Sequence, residues 1–312
     1  MENLPLVSVV VLTYHSADTV TETLDSIKKQ DYPNIELIIT DDDSKDPTVD
    51  IVKEWVAQNS KRFVRVEIVL TPVNTGVSGN LNRGLAQTRG QWIKHIAGDD
   101  LMLPDCISAN IREALSNNDV QAVFSRAQFF GDPEICQQYK DFGYGLFGLS
   151  ARQRYLMILL KNTIIAPTAF ISRCYYDNSG TYDETIPHVE DWPFWIKMFK
   201  EKCKISFLNR ETVKYRMGQS LSLGGGGGRK FQESLRLANA YAYECQMQEN
   251  SIYRWYASLY RKQGEKYALW RQLLLRLNVY YYYYRYLTVK RSKASEKLNL
   301  MFKHESYAGS LV

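Results

Sequence analysis

The sequence predicts an α/β protein, a mostly parallel sheet with helices on both faces, followed by a C-terminal helical extension. Three observations predict it. Over the first hundred residues, short β-branched runs alternate with segments of helical spacing, the signature of strand–helix–strand units. Two of the runs end in acidic knots, Asp41-Asp42-Asp43-Ser44 and Gly98-Asp99-Asp100. Parallel strands deliver the residues at their carboxyl ends to one edge, where open α/β sheets bind ligands. Beyond Gly228 the composition turns to Tyr, Leu and Arg at helical spacing.

The elements follow in order. Val7 to Thr13 is a β-branched strand, and Asp18 to Lys29 carries Val20, Leu24 and Ile27 on one helical face. Ile35 to Thr40 is the second strand, and Pro47 to Gln58 is a helix with Pro near its start, where its missing N–H costs nothing. Phe63 to Leu70 alternates as a strand does, Val77 to Ala86 returns to helix, and Gln91 to Ala97 is the next strand. The second hundred residues are less regular, with strand candidates at Gln121 to Phe124, Ala169 to Ser172 and Ile205 to Leu208. A helix from Trp192 to Lys202 follows a third acidic knot, Glu190-Asp191. Gly224 to Gly228 reads as a hinge or loop, and Phe231 to Lys297 as helices that include the tyrosine run Tyr280 to Tyr284. No internal repeat is present.

A chain of 312 residues suffices for one large α/β body and an appendage. The net charge of +5 hides an asymmetry: residues 229–312 carry fifteen Lys and Arg against six Asp and Glu, so residues 1–228 are net acidic. Five scattered cysteines, Cys106, Cys136, Cys174, Cys203 and Cys245, form no C-x-x-C pair. That argues for a reducing compartment and against a disulfide framework or structural zinc. The apolar stretch Leu4 to Leu12 follows Glu2 with no basic segment before it, so it reads as a first strand rather than a signal peptide. No run of about 18 apolar residues occurs, and the expected location is cytoplasmic. A G-x-x-x-x-G-K-[ST] loop is absent, and Thr13-Tyr14-His15-Ser16-Ala17-Asp18 stands where a dinucleotide fingerprint would. Phosphate-loop kinases and nicotinamide dehydrogenases are therefore poor candidates.

Acidic residues gathered on one sheet edge repel and need a reason. A divalent metal with a diphosphate ligand, plus one carboxylate kept as a base, supplies one. The competing reading makes them turn residues and helix N-caps. Three knots in this order favour the first.

The motifs resemble those of a family 2 glycosyltransferase of the GT-A fold, whose sheet is Rossmann-like. Val7-Ser8-Val9-Val10-Val11-Leu12-Thr13-Tyr14 looks like that family's first strand, with Leu12 where Pro is usual. Ile38-Ile39-Thr40-Asp41-Asp42-Asp43-Ser44-Lys45-Asp46 resembles its V-D-D-G-S-x-D segment. Asn74 to Gly84 matches N-x-G-x-S-x-x-R-N-x-G except that Leu81 replaces Arg, and Gly98-Asp99-Asp100 looks like the D-x-D region with Ala97 in place of the leading Asp. Gly180-Thr181-Tyr182-Asp183-Glu184 and Glu190-Asp191-Trp192 resemble the acceptor-side G-x-F-D-E and E-D segments. The likeness spans residues 5–222 and implies a bacterial surface-polysaccharide enzyme of the inverting, metal-dependent type. It divides the chain into a catalytic domain, 1–223, with a nucleotide-sugar half (about 1–120) and an acceptor half (about 121–223). A glycine hinge or loop, 224–228, and a basic, aromatic helical tail, 229–312, follow.

By the resemblance, Thr13, Tyr14, Asp42 and Asp99 hold the nucleotide, with Asp42 accepting from the uracil ring. Asp100 ligates Mn²⁺ or Mg²⁺, and one protein carboxylate can suffice where substrate phosphates complete the shell. Asp191 is the general base and Glu190 supports it. Arg216 stands where a basic residue often meets the diphosphate, with an ordinary surface arginine as the equal alternative. His188 reads as a packed loop residue and His15 as the end of the first strand. The implied partners are a nucleotide sugar, most simply UDP-linked, and a hydroxyl of a glycan or lipid-linked glycan.

Trp270, Leu273, Leu274, Leu277, Tyr281, Tyr284 and Leu287 fall near one helical face beside Arg271, Arg276 and Arg285. Such a face either lies in an anionic membrane interface or packs on the body. The first alternative makes the protein peripheral on the inner face of the plasma membrane. No reading motif supports nucleic acid. Two other functions stay open: a sugar-phosphate nucleotidyltransferase, and an inactive scaffold of a polysaccharide-assembly complex, which Ala97 and Leu81 keep in play.

Overall fold

A computed structural model describes residues 4–139, 142–218, 228–261 and 279–309. The elements in chain order are β1 (Val7–Thr13), α1 (Val20–Lys28), β2 (Ile35–Asp41), α2 (Thr48–Asn59), β3 (Arg65–Leu70), α3 (Gly76–Ala86) and β4 (Trp92–Ala97). Next come β5 (Leu101–Met102), α4 (Cys106–Leu115), β6 (Ala122–Gly131), α5 (Pro133–Tyr139), α6 (Ala151–Ile158), β7 (Phe170–Ser172) and α7 (Arg173–Ser179). The chain continues with α8 (Asp191–Lys200), β8 (Ile205–Met217), α9 (Arg229–Met247), α10 (Ser251–Arg261) and α11 (Val279–Gly309). They cluster into two compact units. The first is Met1–Asp141, Ile164–Phe194 and Cys203–Ser234, and the second Phe142–Thr163, Trp195–Lys202 and Leu235–Val312.

The first unit is built on an eight-stranded sheet in the order β3-β2-β1-β4-β7-β6-β8-β5. Strands β3, β2, β1 and β4 run parallel, as the alternating sequence requires. Val7, Val9 and Val11 join Ile35, Leu37 and Ile39 in one core cluster with the α1 side chains Val20, Leu24 and Ile27. Val10 and Ile38, pointing the other way, are equally buried, which is why these strands read as unbroken apolar runs. The register sets the carboxyl ends level: Thr13 pairs with Asp41, and Leu12 with both Thr40 and Ala97.

The irregular second hundred holds more structure than its hydropathy shows. Strand β6 runs ten residues and β8 thirteen, well past the four expected for each. They pair in parallel through two register shifts between Phe124 and Ala127. Polar residues disguise the stretch: Ser125 and Arg126 are buried, Ser125 Oγ shares a 2.6 Å hydrogen bond with Thr212, and Arg126 Nε donates to Asn209 at 2.8 Å. Burial satisfied by a partner strand leaves no apolar alternation to read. The two-residue β5 and helices α4 to α7 are further elements beyond those the sequence pattern marks.

The second unit packs α6 with the C-terminal helices. Ser150 starts α6 with a reciprocal cap to Gln153, and the buried Tyr284 hydroxyl of α11 donates to the Leu156 carbonyl at 2.9 Å. Leu287 is fully buried there. Of the apolar face expected of the tail, the described side chains Tyr284 and Leu287 are thus spent on packing, whereas residues 270–277 lie outside the described residues. So does the glycine run, Gly228 excepted. Among the described residues no helix is long and apolar enough to cross a membrane.

Candidate active site

The carboxyl edge of β1 and β2 is fixed by short side chains. Asp41 accepts from Thr13 Oγ1 at 2.7 Å, from Ser44 Oγ at 2.7 Å and from Ser44 N at 2.8 Å. Thr13 and Asp41 therefore hold each other. Past Thr13 the backbone turns through a left-handed His15, φ 50°, so the strand ends before that residue. Tyr14 is 45% exposed, its ring stacked on His15 with centroids 4.2 Å apart, and it offers a flat face at the edge.

Asp42 faces the turn that opens α3. Its buried carboxylate takes Thr75 N at 3.0 Å, Thr75 Oγ1 at 3.0 Å, Gly76 N at 2.7 Å and Arg83 Nη2 at 2.6 Å. Four donors, one a guanidinium, are what a desolvated carboxylate needs. The expected Arg position, Leu81, is fully buried in α3, and the guanidinium comes from Arg83, two residues on.

The same helix grips the acceptor-side segment. Ser78 N and Oγ donate to the carbonyls of Pro187 (3.1 Å) and Ile186 (2.6 Å). Asn82 donates through Nδ2 to Tyr182 O at 2.9 Å and to Glu184 at 2.9 Å, and accepts from Tyr182 N at 3.0 Å. Gly76 has φ +81°, and a Cβ on it would lie 2.6 Å from the Pro187 carbonyl, so only glycine fits the approach. The half-buried His188 ring also borders Gly76. Burial and Lys230 push its pKa down while Asp42 pulls it up.

Glu190 and Asp191 end this segment, and Asp191 is the first residue of α8. Burial of the Glu190 carboxyl, with the Asp191 charge beside it, pushes its pKa up to about 8. Glu190 is therefore the member of the pair whose proton is held near neutrality. Tyr182, fully desolvated and facing both acids, is pushed well above the ordinary phenol. It stacks on Phe194 of α8, centroids 4.3 Å apart, shares a 3.2 Å hydroxyl contact with Tyr176, and meets His95 of β4 edge-on.

Asp99 and Asp100 lie between β4 and β5. Pairing of Leu101 with Lys214 brings β8 alongside. Arg216 donates from N to Asp100 Oδ1 at 2.8 Å, from Nε to Asp99 O at 2.8 Å and from Nη2 to Glu22 at 2.6 Å, with its guanidinium 4.5 Å above Phe130. Arg216 thus braces the acidic pair. Burial first, and then Asp99, hold Asp100 well above the usual carboxylate range, and burial raises Asp99. Two desolvated carboxylates side by side fit a hard divalent cation, which prefers oxygen donors and relieves their repulsion. Among the described residues no cluster of three or more His, Cys, Asp or Glu side chains is arranged to hold a metal.

Hydrogen bonds tie Thr13, Asp41, Asp42, α3 and the 182–188 segment into one network, and Asp99, Asp100 and Arg216 into a second on the same sheet. Sequence reasoning flagged the Asn74–Gly84 stretch but missed what Ser78, Asn82 and Arg83 bind. Its spacing marked it as functional, yet nothing local names a partner about a hundred residues away. Glu22 as the partner of Arg216 carried no signal at all.

Comparisons with known proteins bear on the site. The family model described as "Glycosyl transferase family 2" matches residues 8–179, more than half of the chain. An uncharacterized glycosyltransferase of Haemophilus influenzae is 28% identical over 70% of this chain and 67% of its own length. The chain spans about two thirds of the length of the first curated relatives it matches. The UDP-Glc:alpha-D-GlcNAc-diphosphoundecaprenol beta-1,3-glucosyltransferase WfaP of Escherichia coli is 26% identical over 75% of this chain and 84% of its own. Among solved structures, Staphylococcus aureus TarS 1-349 in complex with UDP-GlcNAc superposes with a TM-score of 0.60 at 16% identity, covering 96% of this chain and 92% of that one. The mannosyltransferase PcManGT of Pyrobaculum calidifontis, in complex with GDP-Man and Mn²⁺, gives 0.57 at 17%, covering 95% and 88%. At such identities the likeness is one of fold, the GT-A fold. With a family model over most of the sheet-forming sequence and that fold beneath it, the chain belongs to glycosyl transferase family 2.

Proposed function

We propose that this enzyme transfers a sugar, with inversion, from a UDP-sugar to a hydroxyl of a lipid-linked glycan at a bacterial surface-polysaccharide assembly site. The observation that carries the reading is the Glu190–Asp191 pair: two adjacent acids at the start of α8, the first buried and, with Asp191 beside it, shifted up in pKa. That is the arrangement a general base requires. Asp191 accepts the proton of the acceptor hydroxyl while that oxygen attacks the anomeric carbon opposite the departing diphosphate, which inverts the configuration. Glu190, being neutral, orients without competing for the proton.

At the nucleotide end, Tyr14 offers its exposed ring and Asp42 with Arg83 reads the base. Uracil presents one ring N–H flanked by carbonyls. A carboxylate beside a guanidinium matches that pattern, with Arg83, whose side chain is 26% exposed, the donor able to shift toward the ring. Cytosine lacks that N–H and would set lone pairs against Asp42. Thr13 acts by holding Asp41 and the strand ends. Asp99 would meet the ribose, and Asp100, braced by Arg216, would hold Mn²⁺ or Mg²⁺. The bound ion would supply Lewis-acid neutralisation of the leaving diphosphate. Support for the donor comes from the relative named as using UDP-Glc and the fold neighbour bound to UDP-GlcNAc, and support for the acceptor from the diphosphoundecaprenol in the same relative's name.

The experiment is nucleoside diphosphate release from UDP-, GDP- and dTDP-sugars with Mn²⁺, Mg²⁺ or EDTA. Turnover of a UDP-sugar that EDTA and Asp100→Ala abolish is expected. Pyrophosphate release would move the protein to a nucleotidyltransferase, and binding without release, even with lipid-linked glycans added, to a scaffold.

A further inference from the structure

We propose that α11 rests on an anionic phospholipid surface through the face opposite its packed side. Along this helix Tyr284 and Leu287 are buried in the second unit. The outward arc follows the helical spacing 279, 282, 286, 289, 293, 297 and 300. Val279, Tyr282, Tyr286, Val289 and Leu300 on it are 61%, 57%, 55%, 54% and 60% exposed. Single exposed apolar residues are ordinary, but a row of five on one helix is not. At 1.5 Å per residue the row is about 30 Å long. Lys293 and Lys297 are exposed on the same arc against one acid, Glu296, and the exposed Arg285 lies at its flank.

Charge decides the occupant. A second copy docked through the same face would set the basic residues of one helix against those of the other. An anionic bilayer neutralises them instead, while tyrosines, apolar in body and polar at the tip, suit headgroup depth. The surplus of nine basic residues over residues 229–312 adds to the attraction. The lipid-facing side is thus the reverse of the one that hydropathy alone selects through Tyr284 and Leu287. The inference stands on α11 alone and does not depend on the donor or acceptor proposed above.

The test is sedimentation of the full chain with vesicles of pure phosphatidylcholine or of phosphatidylcholine mixed with phosphatidylglycerol. Binding to the mixed vesicles only, weakening as salt is added, is expected. The pair Lys293→Glu and Lys297→Glu should lower the partition coefficient at least about thirty-fold. The pair Tyr282→Ser and Tyr286→Ser should lower it several-fold, with circular dichroism melts unchanged. Equal binding to both vesicles, no binding to the mixed ones, or variants that bind like the parent would overturn the proposal. So would a lipid-free dimer in sedimentation velocity that the tyrosine pair dissociates. If a variant fails to fold, the salt titration of the parent chain still decides.

Discussion

Replacing Asn82 by Ala tests whether α3 aligns the base as well as the sheet. The substitution deletes three hydrogen bonds, two of them to the backbone N–H and C=O of Tyr182, a residue 4% exposed. Leaving these buried groups without a partner costs about 1–3 kcal/mol, and the exposed Glu184 bond adds little. For a domain of this size each kcal/mol lowers Tm by about 2–4 °C, so a fall of roughly 2–12 °C is expected. Tyr182 stacks on Phe194 of α8 and faces Glu190 and Asp191, so its displacement shifts the base. A displacement near 1 Å costs about a hundred-fold in rate. The hydrogen bonds of Asn82 go to Tyr182 and Glu184 and not to Asp42, Asp99 or Asp100, and so KM for the donor should stay within about two-fold of the parent while kcat falls ten- to a hundred-fold. Steady-state diphosphate release and a thermal melt on the same preparation measure both. A melt that falls as stated with kcat per folded enzyme unchanged would refute the coupling of α3 to the base.

Other substitutions probe the remaining contacts. Gly76→Ala combines a left-handed φ of +81° with a Cβ 2.6 Å from the Pro187 carbonyl, and should cost about 2–4 kcal/mol in denaturant unfolding; an unchanged midpoint would dispute the close approach. Leu81→Arg restores the motif's usual residue at a position with no exposure and should destabilise by about 3 kcal/mol or more, for want of a partner. Glu190 holds its proton in the folded chain up to about pH 8 but ionises near 4.5 when unfolded. Stability should therefore fall as pH rises through that window, because the folded state binds the extra proton. Melts of Glu190→Gln at pH 5 and pH 8 should show a flatter dependence and a higher Tm than the parent at pH 8.

Much of the first unit was legible in sequence because its strands are buried on both faces. Runs such as Val7–Thr13 and Ile35–Asp41 leave little room for another reading, and the acidic residues that end β2 and follow β4 mark the carboxyl edge. Legibility fails where burial is satisfied by polar pairing. Ser125 and Arg126 of β6 are interior residues that look like surface ones until Thr212 and Asn209 are placed beside them. The site divides in the same way. Acid positions could be picked out from their context at strand ends, whereas the groups that hold them, Arg83 on Asp42 and Glu22 on Arg216, lie 41 and 194 residues away in sequence. The tail shows the limit of hydropathy on a helix. Tyr284 and Tyr286 are alike in sequence, yet the first is buried and the second exposed, and only the packing of α6 against α11 separates them.

The central claim is that Asp191 takes the acceptor's proton while the nucleotide is held elsewhere. Asp191→Asn keeps the size and the helix start but removes the base. The decisive measurement is its diphosphate release with the UDP-sugar and a lipid-linked glycan acceptor, paired with calorimetric titration of UDP. The expected result is a fall in kcat of about 10²–10⁴-fold with UDP affinity unchanged; a variant that turns over at the parent's rate would contradict Asp191 as the base.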